Sequence, residues 1–429
     1  MLLDLKYQTI ITIIFIIGYL GIIFEDNSKI HKTATALIVA VLCWTSYFLL
    51  SGTPLQESLF SLEHHLASMS QIVFFLIGAM TIVEVIDAHQ GFQFISKIIH
   101  SQSKRRLLWM IGFITFFMSS VLDNLTTTIA MLSLMKKLLK NQSDRWLFGS
   151  IIVIAANSGG AWTPIGDITT TMLWINGNLT TLNVIKTLFF PCLVSLATSL
   201  FLYQHLFLQN DREEFIQKDP RPKKEKNSLL IFLMGSLLLA SVPLFKSLTH
   251  LPPYMGMLIS LGILWLFTDL LYHKKSHLEH LRVSSAFKKI DLASILFFAG
   301  LLLSVSALET ANILGYLATL INDHIANETI VATFIGLFSA IIDNVPLVAA
   351  CMSMYDLQTY PIDSMFWLLI AYCSGTGGSI LIIGSSSGIA LMGMEKVDFF
   401  WYLKKISFCA ALGYFAGIIS YLLINQFSL

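Results

Sequence analysis

Apolar runs of bilayer-spanning length recur in this chain from one end to the other, and nothing else in the sequence constrains its fold as much. Backbone N–H and C=O groups in hydrocarbon have no water to bond, so such runs must be helices or strands of a closed barrel, and these are of helical length. A helical span takes roughly 20 apolar residues. The sequence offers such runs near 8–24, 35–50, 71–88, 147–175, 187–207, 228–247, 254–272, 291–310, 364–392 and 401–425. With 55% of 429 residues hydrophobic and only 12% charged, the expected fold is an all-α polytopic membrane protein of about ten spans. The first run follows Lys6 as a signal peptide would, but GIIFEDNSK offers no small-residue cleavage site, so the run is read as a span. Cys43, Cys192, Cys351, Cys373 and Cys409 fall in or beside apolar runs without CxxC spacing, which argues against disulfides and zinc. A net charge of +1 gives no reason to expect nucleic acid as a partner.

Two further segments, 107–135 and 327–355, are long and apolar but broken near their centres by polar residues. Read as re-entrant hairpins, they let the basic residues sort cleanly. Lys and Arg number 2 in 25–34, 4 in 92–106, 4 in 136–146, 6 in 208–227, 5 in 273–290 and 3 in 393–405. These 24 of 27 then share the cytoplasmic side, leaving Lys6, Lys186 and Lys246 outside. The first hairpin has basic residues at both ends, and the second has none between Glu309 and Lys396, so the two enter from opposite sides.

Opposite entry suggests an inverted repeat. SSVLDNLTT at 119–127 aligns with SAIIDNVPL at 339–347, and GGAWTPIG at 159–166 with GGSILIIG at 377–384, offsets of 220 and 218. QIVFFLIG at 71–78 also resembles SILFFAG at 294–300. The expected organisation is an N-terminal span and loop (1–34), a first repeat (35–207), a linker with a connecting span (208–253) and a second repeat (254–429). The first repeat holds the hairpin 107–135 and a broken helix at 147–175; the second holds the hairpin 327–355 and a broken helix at 364–392.

Non-helical backbone survives at membrane depth only where protein or a water-filled cavity satisfies it, so the breaks mark a site. Their polar residues are Asp123, Asn124, Asn157, Asp167, Thr169, Thr170, Ser339, Asp343 and Asn344, with Ser374, Thr376 and Ser385 as second-repeat contributors. Carboxylate, amide and hydroxyl oxygens suit a hard cation such as Na+, and no Lys or Arg stands at the breaks to hold an anion. Asp123, Asn124, Asp167 and Thr169 are the expected Na+ ligands. A proton competing for the same carboxylates gives the minimal condition for exchange. Asp343 has two roles open to it, ligand or cap of the returning helix. Glu84 is read as a proton-access residue, with placement at the membrane interface as the equal alternative.

VLDNLTTTIAM, AANSGGAWTPIGDITTTMLW, AIIDNVPLVAA and SGTGGSILIIGSSSGIALMG together resemble the NhaD family of Na+/H+ antiporters. That family belongs to a superfamily that also holds arsenite permeases and sodium/dicarboxylate symporters. The resemblance covers essentially the whole chain. It implies that Asp123, Asn124, Asn157, Asp167, Thr169, Thr170, Ser339 and Asn344 are critical to transport. It also implies a homodimer with a scaffold part and a moving part, no cofactor, and a bacterial inner membrane as location. The expected activity is exchange of cytoplasmic Na+ or Li+ for external H+ in sodium and pH homeostasis. Arsenite efflux and dicarboxylate uptake on the same scaffold are the nearer rivals, and an intramembrane hydrolase the remote one. The family often carries a histidine after the DITTTMLW block where this chain has Asn178, which removes one candidate for pH control.

Overall fold

The computed structural model describes residues 2–23, 29–94, 99, 103–139, 141–207, 227–273, 276–325, 327–341 and 344–427, and every regular element among them is helical. The chain runs through α1 (Leu2–Ile23), α2 (Lys32–Leu50), α3 (Leu55–Ala88), α4 (Lys104–Ser119), α5 (Asn124–Leu138), α6 (Gln142–Ala161), α7 (Ile168–Ile175), α8 (Thr181–Phe207) and α9 (Ser228–Thr249). It continues through α10 (Pro253–Tyr272), α11 (Leu292–Thr310), α12 (Ile313–His324), α13 (Glu328–Ser339), α14 (Asn344–Met354), α15 (Met365–Gly377), α16 (Ser386–Glu395), α17 (Phe399–Lys405) and α18 (Ser407–Phe427). Among the described residues seven helices are long and apolar enough to cross a membrane alone: α2, α3, α8, α9, α10, α11 and α18. Their outward faces carry exposed Leu, Ile and Val, such as Ile38 and Val41 on α2 and Leu266 and Leu270 on α10. Such a face is stable against lipid rather than water.

The two segments expected to be hairpins are helix pairs. Lys104, opening α4, bonds Asp144 in the first turn of α6 at 2.7 Å. Since α5 ends only a few residues before α6 begins, both ends of the pair lie at one end of α6. Its tip lies at the other end, where the Ser119 hydroxyl donates to the Ala156 carbonyl at 2.6 Å and the Thr163 hydroxyl to the Ser120 carbonyl at 2.7 Å. The pair α13 and α14 repeats this against α15, with the Ser339 hydroxyl donating to the Ser374 carbonyl at 2.9 Å. Close packing recurs as well. A Cβ at Gly159 would strike the Phe116 backbone, and a Cβ at Gly377 the Gly336 backbone. These contacts are related by the offsets of 220 and 218 that align the sequences.

The two broken spans, α6–α7 and α15–α16, run antiparallel and are tied at both ends. Arg145 meets the Glu395 carboxylate at 2.9 Å, and the Trp146 indole donates to the Glu395 carbonyl at 2.9 Å. At the opposite end Thr180 donates its N–H and hydroxyl to the Asp363 carboxylate at 2.7 and 2.6 Å. Both spans are almost wholly buried, from Phe148 to Ala161 and from Phe366 to Gly377. They form the centre of a body made of α4–α8 and α13–α18, while α1–α3 and α9–α11 pack on one another beside it. The bodies meet chiefly where α11 and α12 touch α14 and where α3 touches α7.

Several expected boundaries shift. The span at 71–88 is the second half of a 34-residue helix. At 1.5 Å per residue that helix is about 51 Å long, beyond the roughly 30 Å hydrocarbon core, so α3 carries Glu57, Glu63, His64 and His65 past the apolar layer. The run at 401–425 divides into α17 and α18, and α12 fills a stretch with no expected element. Among the described residues all five cysteines are free. Most of the charged linker, and Asp343, lie outside the described residues.

Candidate ion-binding site

Half-helices begin where the breaks end, and a helix N-terminus leaves N–H groups in need of acceptors. Asp123 caps α5, accepting from the Thr126 N–H at 2.8 Å and the Thr126 hydroxyl at 2.6 Å. Asp167 caps α7, accepting from the Thr169 N–H at 3.3 Å. Ser385 caps α16, its hydroxyl accepting from the Gly388 N–H at 3.2 Å. A chain of amides joins the first and third of these helix starts, and Asp123, Ile168 and Ser386 line one cavity. Asn124 donates its Nδ2 to Asn157 Oδ1 at 3.2 Å, and Asn157 donates its own Nδ2 to Ser385 Oγ at 2.9 Å. One hairpin tip and both broken spans therefore share a single buried polar network.

The two halves aligned by these offsets are not copies of each other at the site. Asn157 and Asp167 align, at the offset of 218, with Gly375 and Ser385. The Asn157–Ser385 bond thus has as its counterpart a contact between Gly375 and Asp167. Glycine makes that contact possible: a Cβ on Gly375 would stand 3.1 Å from Asp167 Oδ2 and 2.9 Å from the Ala161 Cβ.

Each helix N-terminus carries roughly half a positive charge, so a capping carboxylate is half-neutralised and leaves a residual negative field. Around these caps, Asn124 Oδ1, Ser158 Oγ, Thr169 Oγ1 and Ser387 Oγ are buried without a hydrogen-bond partner. A buried oxygen left so costs about 1–3 kcal/mol, and a cation that took such oxygens as ligands would remove that cost. The donor set fits Na+ in charge and in hardness. Asp123 also lines a cavity between the two helix bodies. Its walls include Phe75 and Met80 of α3, Met257 of α10 and Phe297 of α11, and it reaches Lys32 and Ser294 at the starts of α2 and α11.

The other expected residues divide. Thr170 donates its hydroxyl to the Ala161 carbonyl at 3.3 Å and Thr376 to the Tyr372 carbonyl at 2.6 Å. Ser374 donates to the Ala371 carbonyl at 3.4 Å. Together with Ser339, these hydroxyls brace the breaks. Asn344 is buried at the start of α14, its Nδ2 without a partner. Glu84 stands apart near the end of α3, paired with Lys289 at 3.2 Å. Sequence reading missed Ser158, which nothing but its place beside Asn157 marks out, and the apolar cavity walls, which look like any core or lipid-facing residues.

Comparison with known proteins places this geometry. Residues 19–370 match a family described as citrate transporter. Sodium/proton antiporter 1 of Arabidopsis thaliana is 50% identical over 420 residues, covering 96% of this chain and 72% of that protein. Sodium/proton antiporter 2 of the same plant is 48% identical, covering 97% and 100%. The Na(+)/H(+) antiporter NhaD of Alkalimonas amylolytica is 30% identical over 444 residues, covering 96% of this chain and 89% of that protein. The chain belongs to the NhaD family. It is an integral, multi-pass membrane transporter and not an enzyme. The motifs that carry the likeness to the NhaD family hold the capping residues Asp123, Asp167 and Ser385, and the amides of Asn124 and Asn157 that reach Ser385.

Proposed function

We propose that this NhaD-family chain exchanges Na+, or Li+, from the cytoplasm for external H+ by alternating access, as a homodimer. The observation that carries this reading is that the starts of α5, α7 and α16 share one cavity, that carboxylates, Asp123 and Asp167, cap two of them, and that buried oxygens beside these caps lack partners. The names of the relatives point the same way. Two neutralising ligands compete for one set of oxygens: Na+ coordinated by Asp123, Asn124, Asp167 and Thr169, or a proton on a carboxylate. Either occupancy relieves the residual negative charge and lets the body of α4–α8 and α13–α18 pass the apolar wall of the other body. The empty, charged site is costly to carry across, which couples the two fluxes. In this reading the halves 35–207 and 254–429 are the two repeats, and their pseudo-symmetry supplies the inward and outward arrangements.

Purified protein in sealed liposomes with an acid interior and an internal pH dye tests this. External Na+ or Li+ should raise the internal pH, and the Asp123→Asn and Asp167→Asn variants should fall to the level of empty liposomes. Full exchange by either variant sinks the site assignment.

A second reading, cotransport of an organic anion, is the one that the citrate description of the matching family and Lys32 in the cavity wall would fit, but the relatives named as antiporters do not favour it. Among the described residues no Lys or Arg stands at a hairpin tip or a break. A pH response that required citrate in the same liposomes would decide for this reading.

A further inference from the structure

Lys246 is one of the three basic residues that the charge count leaves outside, and it lies in the last turn of α9. Its Nζ donates to the Trp174 carbonyl at 2.6 Å and stands 4.5 Å from the centroid of the Trp174 ring. Trp174 is the penultimate residue of α7, the half-helix that Asp167 caps at its other end. The C-terminal carbonyls of a helix form the negative end of its dipole, so an ammonium there is doubly favoured, by the hydrogen bond and by the field. The Trp174 side chain is fully buried, bonds Thr181 through its indole N–H at 3.0 Å, and meets the Phe75 ring edge-on at 6.4 Å.

Two features turn this contact into more than packing. First, α9 belongs to one helix body and α7 to the other, so the bond bridges the surface along which the bodies would slide. Second, the molecule is asymmetric about the site. The cavity containing Asp123 extends toward Lys32 and Ser294, at the basic end, while Phe75 in its wall packs on Trp174, whose carbonyl holds Lys246 at the other end of α7. Another polar bridge at that end among the described residues, the Ser353 hydroxyl donating to Glu309 at 2.7 Å, is exposed to solvent, and an exposed polar contact contributes little.

We propose that Lys246 is an outer latch: a positioning residue whose bond to the Trp174 carbonyl holds the site facing the cytoplasm and parts before the site can face outward. The proposal rests on the alternating-access reading above.

Two reporter cysteines test it in the full chain, with the reporter-free protein giving the background from the five buried native cysteines. Ala79→Cys lines the inner cavity. Ala349→Cys, on α14 in the core shared with α11, is 3% exposed and opens only when the bodies part on the outer side. The ratio of external Ala349→Cys labelling to internal Ala79→Cys labelling by a membrane-impermeant thiol reagent follows the outward-to-inward population. Lys246→Met should raise that ratio about tenfold, the weight of one hydrogen bond to a charged group. Lys246→Arg, which keeps the charge and a donor, should shift it less than Lys246→Met. Lys246→Gln, which keeps a donor without the charge, should fall between and replaces the Met variant if that protein is not recovered folded. A ratio unchanged in Lys246→Met, or in Lys246→Gln as its replacement, overturns the latch. Sodium-driven proton exchange by the reporter proteins with Lys246 intact is measured separately. Its absence beside a shifted ratio would refute the cargo and keep the latch.

Discussion

At the residue scale the site is decided by what stands at the starts of half-helices. Asp123 and Asp167 were legible in the sequence as carboxylates at the breaks, and the structure places both at the starts of half-helices. Their capping role was less so, since capping and ion binding call for the same residue types. Gly375 shows where sequence reading stops: a glycine in a glycine-rich break gives no hint that its missing side chain makes room for the Asp167 carboxylate. Gly375→Ala should therefore weaken Na+ binding, with overpacking of about 1–3 kcal/mol appearing as a roughly tenfold or greater rise in the Na+ concentration for half-maximal exchange. Gly393→Ala, where an added Cβ meets nothing within 4 Å, should leave that concentration unchanged. Equal behaviour of the two variants would remove Gly375 from the site.

At the element scale the hairpins and breaks were legible because polar residues interrupt spans at matching positions in both halves. The length of α3 and the presence of α12 were not. Both lie where the hydropathy signal fades, and a helix that leaves the apolar layer keeps its hydrogen bonds without keeping its pattern. Backbone-to-backbone approach holds each hairpin to its broken span, at Gly159 against Phe116 and at Gly377 against Gly336. A methyl group at either glycine meets main chain that no rotamer change can move aside. Gly159→Ala and Gly377→Ala should each cost about 1–3 kcal/mol of stability, seen as a lower thermal transition of the purified protein. Gly262→Ala, with open space around its Cβ, should match the parent.

At the scale of the whole molecule, the positive-inside count and the structure agree on which ends belong together. Lys104–Asp144, Arg145–Glu395 and Glu84–Lys289 each join two residues that the count places inside. Gln8 to Ala311, His65 to Thr310 and Thr180 to Asp363 join residues it places outside. Single cysteines in place of Ser284 and of Asp356, both exposed, should react with an impermeant thiol reagent from the cytoplasmic and the external face respectively, and not the reverse. Labelling of both from one face would undo the topology and the hairpins with it. What the sequence could not show is the division into two bodies, because the surface between them is built from ordinary apolar side chains.

The two broken spans are fastened to each other at both ends, by Glu395 at one and Asp363 at the other. In the proposed exchange, a pocket bound in this way would travel whole instead of being rebuilt at each surface. Such a machine has no preferred direction. As a reversible gear it would be turned by the electrochemical gradients of the two ions.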